Sequence, residues 1–309
     1  MIFNVNSGAG KIPINVVPST NSSFTYDGDV KSPEWQNYDA EQLTISGSDS
    51  ATNAGTYTVC FTPKADYEWW DGTSTPKEVT WSIAKAAGTL SLSESSGTIT
   101  GKKGTAKTFT VTRAGDGEIS VSSSSTSVAT VSISGTTVTV TPKGYGTATI
   151  TVSVAEGTNY TAPDNKTYSI KVDYLYIAPN TSISWTKSGA SVSQSSSGTN
   201  FSASVNNKGT KYAQYTVNVT NYTKFTASGT SSGSSSGSGR VTVIFGLYKN
   251  GSLVSGYSGS LKNESGTVNI STDLSSMSGE YQVRFTATSQ TESTTSYTGK
   301  VNLTSAKFE

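Results

Sequence analysis

The sequence predicts an all-β protein built from three tandem β-sandwich domains. Only 33% of its 309 residues are hydrophobic and 14% are charged, yet Val, Ile and aromatic residues recur at every second position in short runs. That alternation is typical of strands that bury one face. Turn-forming pairs such as Asp27-Gly28 and Asn250-Gly251 separate the runs. No run places apolar residues three or four positions apart over the length of a helix.

The length fits two or three domains, and we expect them at residues 1–85, 86–173 and 174–309. In the first domain, alternation predicts strands at Ile12–Val16, Phe24–Tyr26, Leu43–Ile45, Tyr57–Phe61 and Val79–Ile83. Met1, Phe3 and Val5 also alternate, which predicts that a strand begins with the first residues.

The second and third domains show the same strand signals. In the second, strands are predicted near residues 89–92, 107–112, 117–121, 128–133, 136–141, 146–154 and 167–173. In the third, longer strands are predicted at Tyr212–Val219, Arg240–Tyr248, Gly266–Asp273, Gly279–Thr288 and Tyr297–Glu309. The Ser- and Gly-rich run Ser228–Gly239 is predicted to be a mobile loop tip inside the third domain.

Charge is distributed unevenly along the chain. Residues 1–85 contain ten acidic and five basic residues, whereas residues 174–309 contain five acidic and ten basic ones. This asymmetry could orient the chain in an assembly, or it could be chance variation. The basic residues are dispersed, which argues against nucleic acid as a partner. No apolar stretch is long enough for a transmembrane helix, so no membrane partner is expected.

Residue types needed for common catalytic sites are missing. The chain has no histidine, which excludes Ser-His-Asp triads and His-bearing zinc sites. Its only cysteine, Cys60, cannot form an intramolecular disulfide and is expected to pack in a strand. Asp66, Glu68 and Asp71 form the densest group of carboxylates, but a structural role is favoured over glycoside hydrolysis. We therefore expect no enzyme activity, no metal and no cofactor.

Aromatic residues are the better candidates for a binding site. Tyr67, Trp69 and Trp70 lie close together, and alternation predicts that Trp69 packs with Tyr67 while Trp70 points to the opposite face. An exposed Trp could stack on a sugar or anchor a protein contact. In the third domain, Trp185, Tyr248, Tyr257 and Tyr297 could line a sugar-binding face, although core packing is the alternative for each. A calcium site at Asp27 and Asp29 is a further candidate, with a plain turn favoured.

Several segments resemble known families. Ser127–Val131, Gly135 and Gly146–Val152 resemble the bacterial immunoglobulin-like group 2 modules of cell-surface and phage proteins. The first domain resembles Ig-like modules of phage and clostridial surface proteins at Thr25–Gly28, Ala54–Phe61, Tyr67–Thr73 and Val79–Ile83. Leu274–Phe285 and Tyr297–Phe308 resemble the end of jelly-roll domains in phage and carbohydrate-binding proteins. The resemblance implies two Ig-like sandwiches and one larger jelly-roll-like sandwich.

Together these observations favour a non-enzymatic accessory protein of a tailed-bacteriophage virion. Its opening residues, MIFNVNSGAG, lack the features of a signal peptide, so we expect synthesis in the host cytoplasm and release by lysis. It would decorate the capsid or tail, dock through residues 1–85 and give weak adhesion to host or mucus glycans. A homo-oligomer is possible. The alternatives are a bacterial cell-surface adhesin, a carbohydrate-binding module, and a tail-tube or baseplate component.

Overall fold

The computed structural model describes residues 10–309, and strands dominate this range. Its helical content is a single 3-10 turn at Val219–Asn221, and no described helix is long and apolar enough to cross a membrane. The all-β fold class is confirmed. Buried hydrophobic residues form three separate clusters, within residues 14–83, 90–172 and 177–308. The predicted boundaries after residues 85 and 173 lie between these clusters.

The first unit, residues 12–84, combines a four-stranded sheet with a parallel pair of short strands. Its strands are β1 (Ile12–Ile14), β2 (Phe24–Thr25), β3 (Leu43–Gly47), β4 (Gly55–Pro63), β5 (Tyr67–Trp69) and β6 (Lys77–Ala84). The larger sheet has the order β2-β6-β4-β3, and β1 pairs with β5. Val59 and Phe61 on β4 are fully buried, whereas Cys60 between them is half-buried on the opposite face and carries a free thiol.

Two details of the first unit differ from the sequence prediction. The strand predicted to reach Val16 ends at Ile14, and Val16 is exposed. Strand β5 was not predicted, because it has only three residues and pairs solely with β1. The strand predicted from Met1, Phe3 and Val5 lies outside the described residues.

The middle unit, residues 89–173, is a sandwich of two four-stranded sheets. Its strands are β7 (Thr89–Leu92), β8 (Ser96–Thr100), β9 (Lys107–Ala114), β10 (Ile119–Ser123), β11 (Ala129–Ser134), β12 (Thr137–Pro142), β13 (Gly146–Val154) and β14 (Lys166–Asp173). The sheets have the orders β10-β13-β14-β8 and β11-β12-β9-β7. All seven predicted strands are present. The additional strand β8 escaped prediction because Ile99 is its only apolar residue.

The C-terminal unit, residues 175–308, packs a six-stranded sheet on a five-stranded one. Its strands are β15 (Leu175–Ala178), β16 (Thr186–Ser188), β17 (Ser191–Ser195), β18 (Gly198–Val205), β19 (Thr210–Asn218), β20 (Lys224–Ser235), β21 (Val241–Lys249), β22 (Ser252–Leu261), β23 (Glu264–Asp273), β24 (Glu280–Ser289) and β25 (Tyr297–Phe308). One sheet has the order β17-β18-β25-β20-β23 with β15 also on β25; the other has the order β16-β19-β24-β21-β22.

The five long strands predicted for this unit are present, and the predicted hairpin is confirmed. Asn250 and Gly251 join β21 to β22 with φ angles of 52° and 81°. Both residues thus adopt the left-handed conformation of a type I′ turn, which Asn and Gly tolerate best. Phe201, Phe245 and Phe285 meet between the two sheets, with ring centroids 5.5–5.6 Å apart.

The mobile loop predicted at Ser228–Gly239 is wrong over most of its length. Residues 228–235 belong to β20, which pairs with β25 on one side and β23 on the other. Inward and outward positions alternate along it, and Ser231 is only 2% exposed. The Ser231 hydroxyl donates a hydrogen bond of 2.6 Å to the Tyr257 hydroxyl, which satisfies a polar group that would otherwise be costly to bury.

The two sheets approach closely where β20 and β25 cross the opposite strands. A Cβ atom on Gly233 would lie 2.6 Å from Leu261 Cβ, and one on Gly299 would lie 2.7 Å from Val243 Cγ2. Both distances are shorter than van der Waals contact. Small residues therefore lie on these central strands because the sheets leave no space for larger side chains, and not because the chain is mobile there.

The joint between the first and middle units is held by hydrogen bonds around Asn159. Its side-chain oxygen accepts from the Ala54 N–H at 2.8 Å, its side-chain nitrogen donates to Asn53 Oδ1 at 3.2 Å, and its carbonyl accepts from the Ala86 N–H at 2.9 Å. Tyr26 packs edge-on against Tyr160 beside them. These contacts join residues that are 73 to 134 positions apart in the sequence and restrict rotation between the two units.

The joint between the middle and C-terminal units is aromatic. Tyr145 stacks on Tyr174 with centroids 4.1 Å apart, and the Lys307 ammonium lies 3.8 Å from the centre of the Tyr174 ring. Tyr222 lies against Gly101, where a Cβ atom would come within 3.2 Å of its ring. Burial raises the pKa of Tyr222 to about 12, because the charged phenolate is disfavoured in a desolvated site.

We predict that Gly233→Val destabilises the protein by about 1–3 kcal/mol, because the added methyl groups overpack the space between the sheets. Chemical denaturation followed by intrinsic fluorescence measures the loss. Ser234→Val on the same strand faces solvent and is the matched control, with an expected change within about 0.5 kcal/mol. Equal effects of the two variants would contradict the close sheet contact.

We predict that Asn159→Ala loosens the first joint, because it removes both side-chain hydrogen bonds to residues 53 and 54. Small-angle X-ray scattering should show a broader distribution of interatomic distances, with little change in the stability of each unit. Asn165→Ala is the control, since Asn165 is exposed and its side chain makes no hydrogen bond within the described residues. An unchanged scattering profile for Asn159→Ala would show that the other contacts hold the joint alone.

Candidate functional site

The outer face of the five-stranded sheet carries an unusual group of side chains. Along β24, Val283, Phe285 and Ala287 point into the core, so Gln282, Arg284 and Thr286 point outward. Strand pairing sets the neighbours in three rows: Tyr212, Thr286, Ile244 and Ser258; Gln214, Arg284, Gly246 and Gly256; Thr216, Gln282, Tyr248 and Leu253. We call Tyr212, Gln214, Gln282, Arg284 and Tyr248 the Arg284 face.

Arg284 lies between two tyrosine rings. Its guanidinium carbon is 4.1 Å from the centre of the Tyr212 ring and 5.4 Å from the centre of the Tyr248 ring. Both rings occupy diagonal positions on the neighbouring strands, at the distance that long side chains reach. Cation–π attraction from the two rings holds the guanidinium in one place on the sheet.

Glycine makes room for this arrangement. Gly246 lies directly opposite Arg284 on β21 and Gly256 follows on β22, so no side chain blocks the arginine on that side. A Cβ atom on Gly246 would lie 2.2 Å from the Ser255 carbonyl oxygen and 3.0 Å from Leu253 Cδ1. Leu253 is partly exposed and covers the two glycines.

The charge of Arg284 is not neutralised by the protein. No described carboxylate lies within 4.0 Å of its guanidinium, and its Nε atom is buried without a hydrogen-bond partner among the described residues. Arg284 is also the only charged residue in the three rows. The side chain is half-buried, so solvent reaches part of it. Such a group can donate hydrogen bonds to an oxygen-rich ligand.

Gln214 and Gln282 flank the arginine. Gln214 lies opposite Arg284 on β19, and Gln282 precedes it by two positions on β24. Both are half-buried, and each amide offers two donors and one acceptor oxygen. Tyr212 is half-buried as well. The face therefore combines a fixed cation, two amides and one accessible aromatic ring.

The opposite outer face, on the six-stranded sheet, is different. Its central rows contain Asn200, Asn302 and Thr230, then Ser202, Lys300 and Ser232. A cavity of about 480 Å³ lies over these residues. It has hydroxyl and amide groups and one cation, but no outward-facing aromatic side chain in these rows. It is the weaker candidate because it has no ring on which a ligand could stack.

The structure buries two of the predicted sugar-binding aromatics, Trp185 and Tyr297, in the core and packs a third, Tyr257, against it. Trp185 is 8% exposed and packs edge-on against Phe201. Tyr297 is buried, and Tyr257 packs against the same core with its hydroxyl bonded to Ser231. Core packing, the alternative considered for each, is what the structure shows. Trp185 and Tyr297 are therefore buried, and Tyr257 is half-buried with its hydroxyl group engaged.

Tyr248 lies on the outer face, as a sugar-binding residue would, but its ring is only 6% exposed. Arg284 lies beside it, and Leu253 is its partner on β22. Tyr248 therefore positions Arg284 and is not open for stacking. Sequence inspection missed Arg284 and Tyr212, because their proximity depends on the register of β19, β24 and β21. The outward position of Arg284 between buried Val283 and Phe285 was the available signal.

A second exposed feature lies in the first unit. Trp69 is fully buried with Tyr67 packed against the same core, whereas Trp70 is 53% exposed, as alternation predicted. The Lys77 ammonium lies 4.7 Å from the centre of the Trp70 ring and 2.9 Å from Asp71 Oδ2. We call Trp70, Asp71 and Lys77 the tryptophan tip.

The tip lies at the end of the first unit that faces away from the middle unit. On β4 and β6, Gly55 pairs with Ile83 beside the joint, and Phe61 pairs with Lys77 at the opposite end. Within the tryptophan tip, the Asp71 carboxylate accepts hydrogen bonds from the hydroxyl and N–H of Thr73 and from the Lys77 ammonium. The Thr73 hydroxyl and Lys77 lower the pKa of Asp71 to about 2, so its carboxylate is charged at neutral pH.

The acidic candidate Asp27 is engaged in a turn. Asp27 accepts hydrogen bonds from the Asp29 N–H at 3.0 Å and from the Lys31 ammonium, and these partners lower its pKa. The structure thus shows a turn where a calcium site was considered. Within residues 10–309 no group of three metal-ligating side chains is present.

Comparison with known proteins gives limited similarity. No family model matches the chain, and no curated protein matches it. Domains 4 and 5 of the S-layer protein SbsC align with 51% of this chain and 99% of their own, at 19% identity and a TM-score of 0.26. A promiscuous carbohydrate-binding module of the β-sandwich superfamily aligns with 73% of this chain and 99% of its own, at 11% identity and a TM-score of 0.28.

A third solved structure contains the CBM51-2 and INT domains of Clostridium perfringens ZmpB in complex with GlcNAc. It aligns with 71% of this chain and 48% of its own, at 12% identity and a TM-score of 0.23. None of the three is described as a phage protein. At these TM-scores they identify neither a family nor a function, and the Ig-like, jelly-roll and phage assignments stay predictions.

Proposed function

We propose that this chain is a non-enzymatic surface protein that binds carbohydrate at the Arg284 face. The observation that carries the proposal is an unpaired guanidinium held between two tyrosine rings on an exposed sheet face. A binding site needs a few fixed polar groups and some accessible apolar surface. Arg284, Gln214 and Gln282 supply the polar groups, and the accessible part of the Tyr212 ring supplies the apolar surface.

Sugars suit this face better than an apolar ligand. A pyranose ring presents hydroxyl groups around its edge and C–H groups on its faces, so it needs both hydrogen-bonding groups and an aromatic surface. The amides of Gln214 and Gln282 can donate to and accept from hydroxyls. The Arg284 face contains no carboxylate or thiol that could act on a bound sugar, which supports binding over catalysis.

The two joints suggest what the other units do. Asn159 and the Tyr145–Tyr174 stack restrict bending between successive units. Three units linked in this way can hold the Arg284 face away from the particle or cell that carries the protein. The first two units would then serve as a stiff spacer, with the tryptophan tip at the end remote from the binding face.

We predict that the purified full chain binds immobilised glycans and that Tyr212→Ala weakens binding about five- to tenfold, since contact with the accessible part of an aromatic ring contributes about 1 kcal/mol or more. A glycan array followed by isothermal titration calorimetry measures the change. Lys300→Gln on the opposite outer face should bind as the wild type does. No glycan binding by the wild type, or an equal loss in both variants, would refute the Arg284 face as the site.

The second part of the proposal concerns the particle or cell that carries the protein. The resemblance of residues 127–152 to Ig-like modules of cell-surface and phage proteins fits two carriers, and we propose a phage virion with a bacterial cell surface as the alternative. An exposed Trp with a charged neighbour is typical of an anchor in a protein interface. The position of Trp70 at the outer end of the first unit supports docking through that unit.

We predict that Trp70→Ala reduces docking to undecorated particles of a candidate host phage by at least tenfold while glycan binding is unchanged. Negative-stain imaging and co-sedimentation of the purified chain with particles provide the measurement. Val30→Ala is the control, because Val30 is also exposed on the first unit. Failure of the wild type to occupy particles from any candidate host would favour the bacterial-surface alternative.

A further inference from the structure

The Arg284 guanidinium has an uncompensated positive charge within a partly desolvated setting. Tyr212 and Tyr248 cover it from two sides, and no described acidic group lies within 4.0 Å. A half-buried charge without a partner is unfavourable unless a ligand supplies the opposite charge. The arrangement is therefore better suited to an anionic group than to a neutral hydroxyl alone.

The buried Nε atom defines how an anion can approach. Arg284 Nε is inaccessible and has no partner among the described residues, so a ligand cannot pair side-on through Nε and one Nη atom. The end of the guanidinium, formed by Nη1 and Nη2, remains available for pairing with an anion. Two parallel N–H groups at that end match the two oxygens of a planar carboxylate.

The number of charges favours a carboxylate over a sulfate or phosphate cluster. Arg284 is the only charged residue in the three rows of the face, and the outward residue of β24 that follows Gln282 beyond these rows is the acidic Glu280. One positive charge balances one carboxylate. A ligand with several closely spaced negative charges would meet Glu280 and no second cation on β24.

We propose that the Arg284 face recognises the carboxylate of an acidic sugar, such as a hexuronic acid, through Nη1 and Nη2 of Arg284. Gln214 and Gln282, on either side, bind the hydroxyl groups next to the carboxylate. Two tyrosines fix the guanidinium before the ligand arrives, so little conformational entropy is lost on binding. This inference rests on the proposed function, because it names the class of sugar bound at the same site.

The test is calorimetric titration of the full chain with a hexuronate oligosaccharide and with its carboxyl-reduced, neutral counterpart. We expect the acidic form to bind about 10- to 100-fold more tightly, as expected for hydrogen bonds to a charged group. Arg284→Gln should reduce the affinity for the acidic form to that for the neutral form. Arg284→Lys keeps the positive charge but loses the two parallel N–H donors of the guanidinium. Its affinity for the acidic form should lie between those of the wild type and Arg284→Gln. Lys300→Gln is the matched charge control and should bind as the wild type does.

The outcomes separate the two proposals. Equal affinity of the wild type for the acidic and reduced forms would overturn carboxylate recognition while glycan binding stands. Tighter binding of a sulfated oligosaccharide than of the uronate would overturn it as well. Binding of an acidic peptide but of neither oligosaccharide would overturn both proposals. Thermal unfolding of Arg284→Lys and Arg284→Gln, expected to match the wild type closely, shows that the variants are folded.

Discussion

The two sheets of the C-terminal unit come so close together that Gly233 and Gly299 have no room for a Cβ atom. This close contact lets a chain with only 33% hydrophobic residues exclude water from its core, because dispersion and apolar burial depend on tight packing. It also explains why residues 228–235 of β20, which are all Ser, Thr or Gly, lie in the middle of a sheet. Larger side chains there would push the sheets apart and expose Phe201, Phe245 and Phe285.

A sandwich packed in this way has only its outer faces and its loops available for contacts. The outer face of the six-stranded sheet is a regular array of hydroxyl and amide groups around Lys300. The outer face of the five-stranded sheet has an arginine clamped by two tyrosines. The two faces differ because Gly246 and Gly256 leave space across which Arg284 reaches Tyr248. The structural difference between the two faces thus arises from missing side chains as much as from those present.

The connections between units are as specific as the cores. Asn159 bonds to residues 53, 54 and 86, and Tyr145, Tyr174 and Lys307 form a stack at the second joint. Contacts of this kind are more restrictive than a flexible Gly- and Ser-rich linker. Restricted joints of this kind are what the proposed spacer between the tryptophan tip and the Arg284 face would require.

The sequence by itself determined the all-β class, the seven predicted strands of the middle unit, the Asn250-Gly251 hairpin and the outward position of Trp70. Each follows from local alternation or from the φ preference of a single residue. The tertiary structure alone decided that Ser228–Ser235 is a central strand, that Trp185 belongs to the core with Tyr257 packed against it, and that Arg284 lies between Tyr212 and Tyr248. The reason is physical: strand register and the distance between sheets bring together residues that are far apart in the chain, such as Arg284 and its two tyrosines, which are 36 and 72 positions away. No local pattern encodes either quantity.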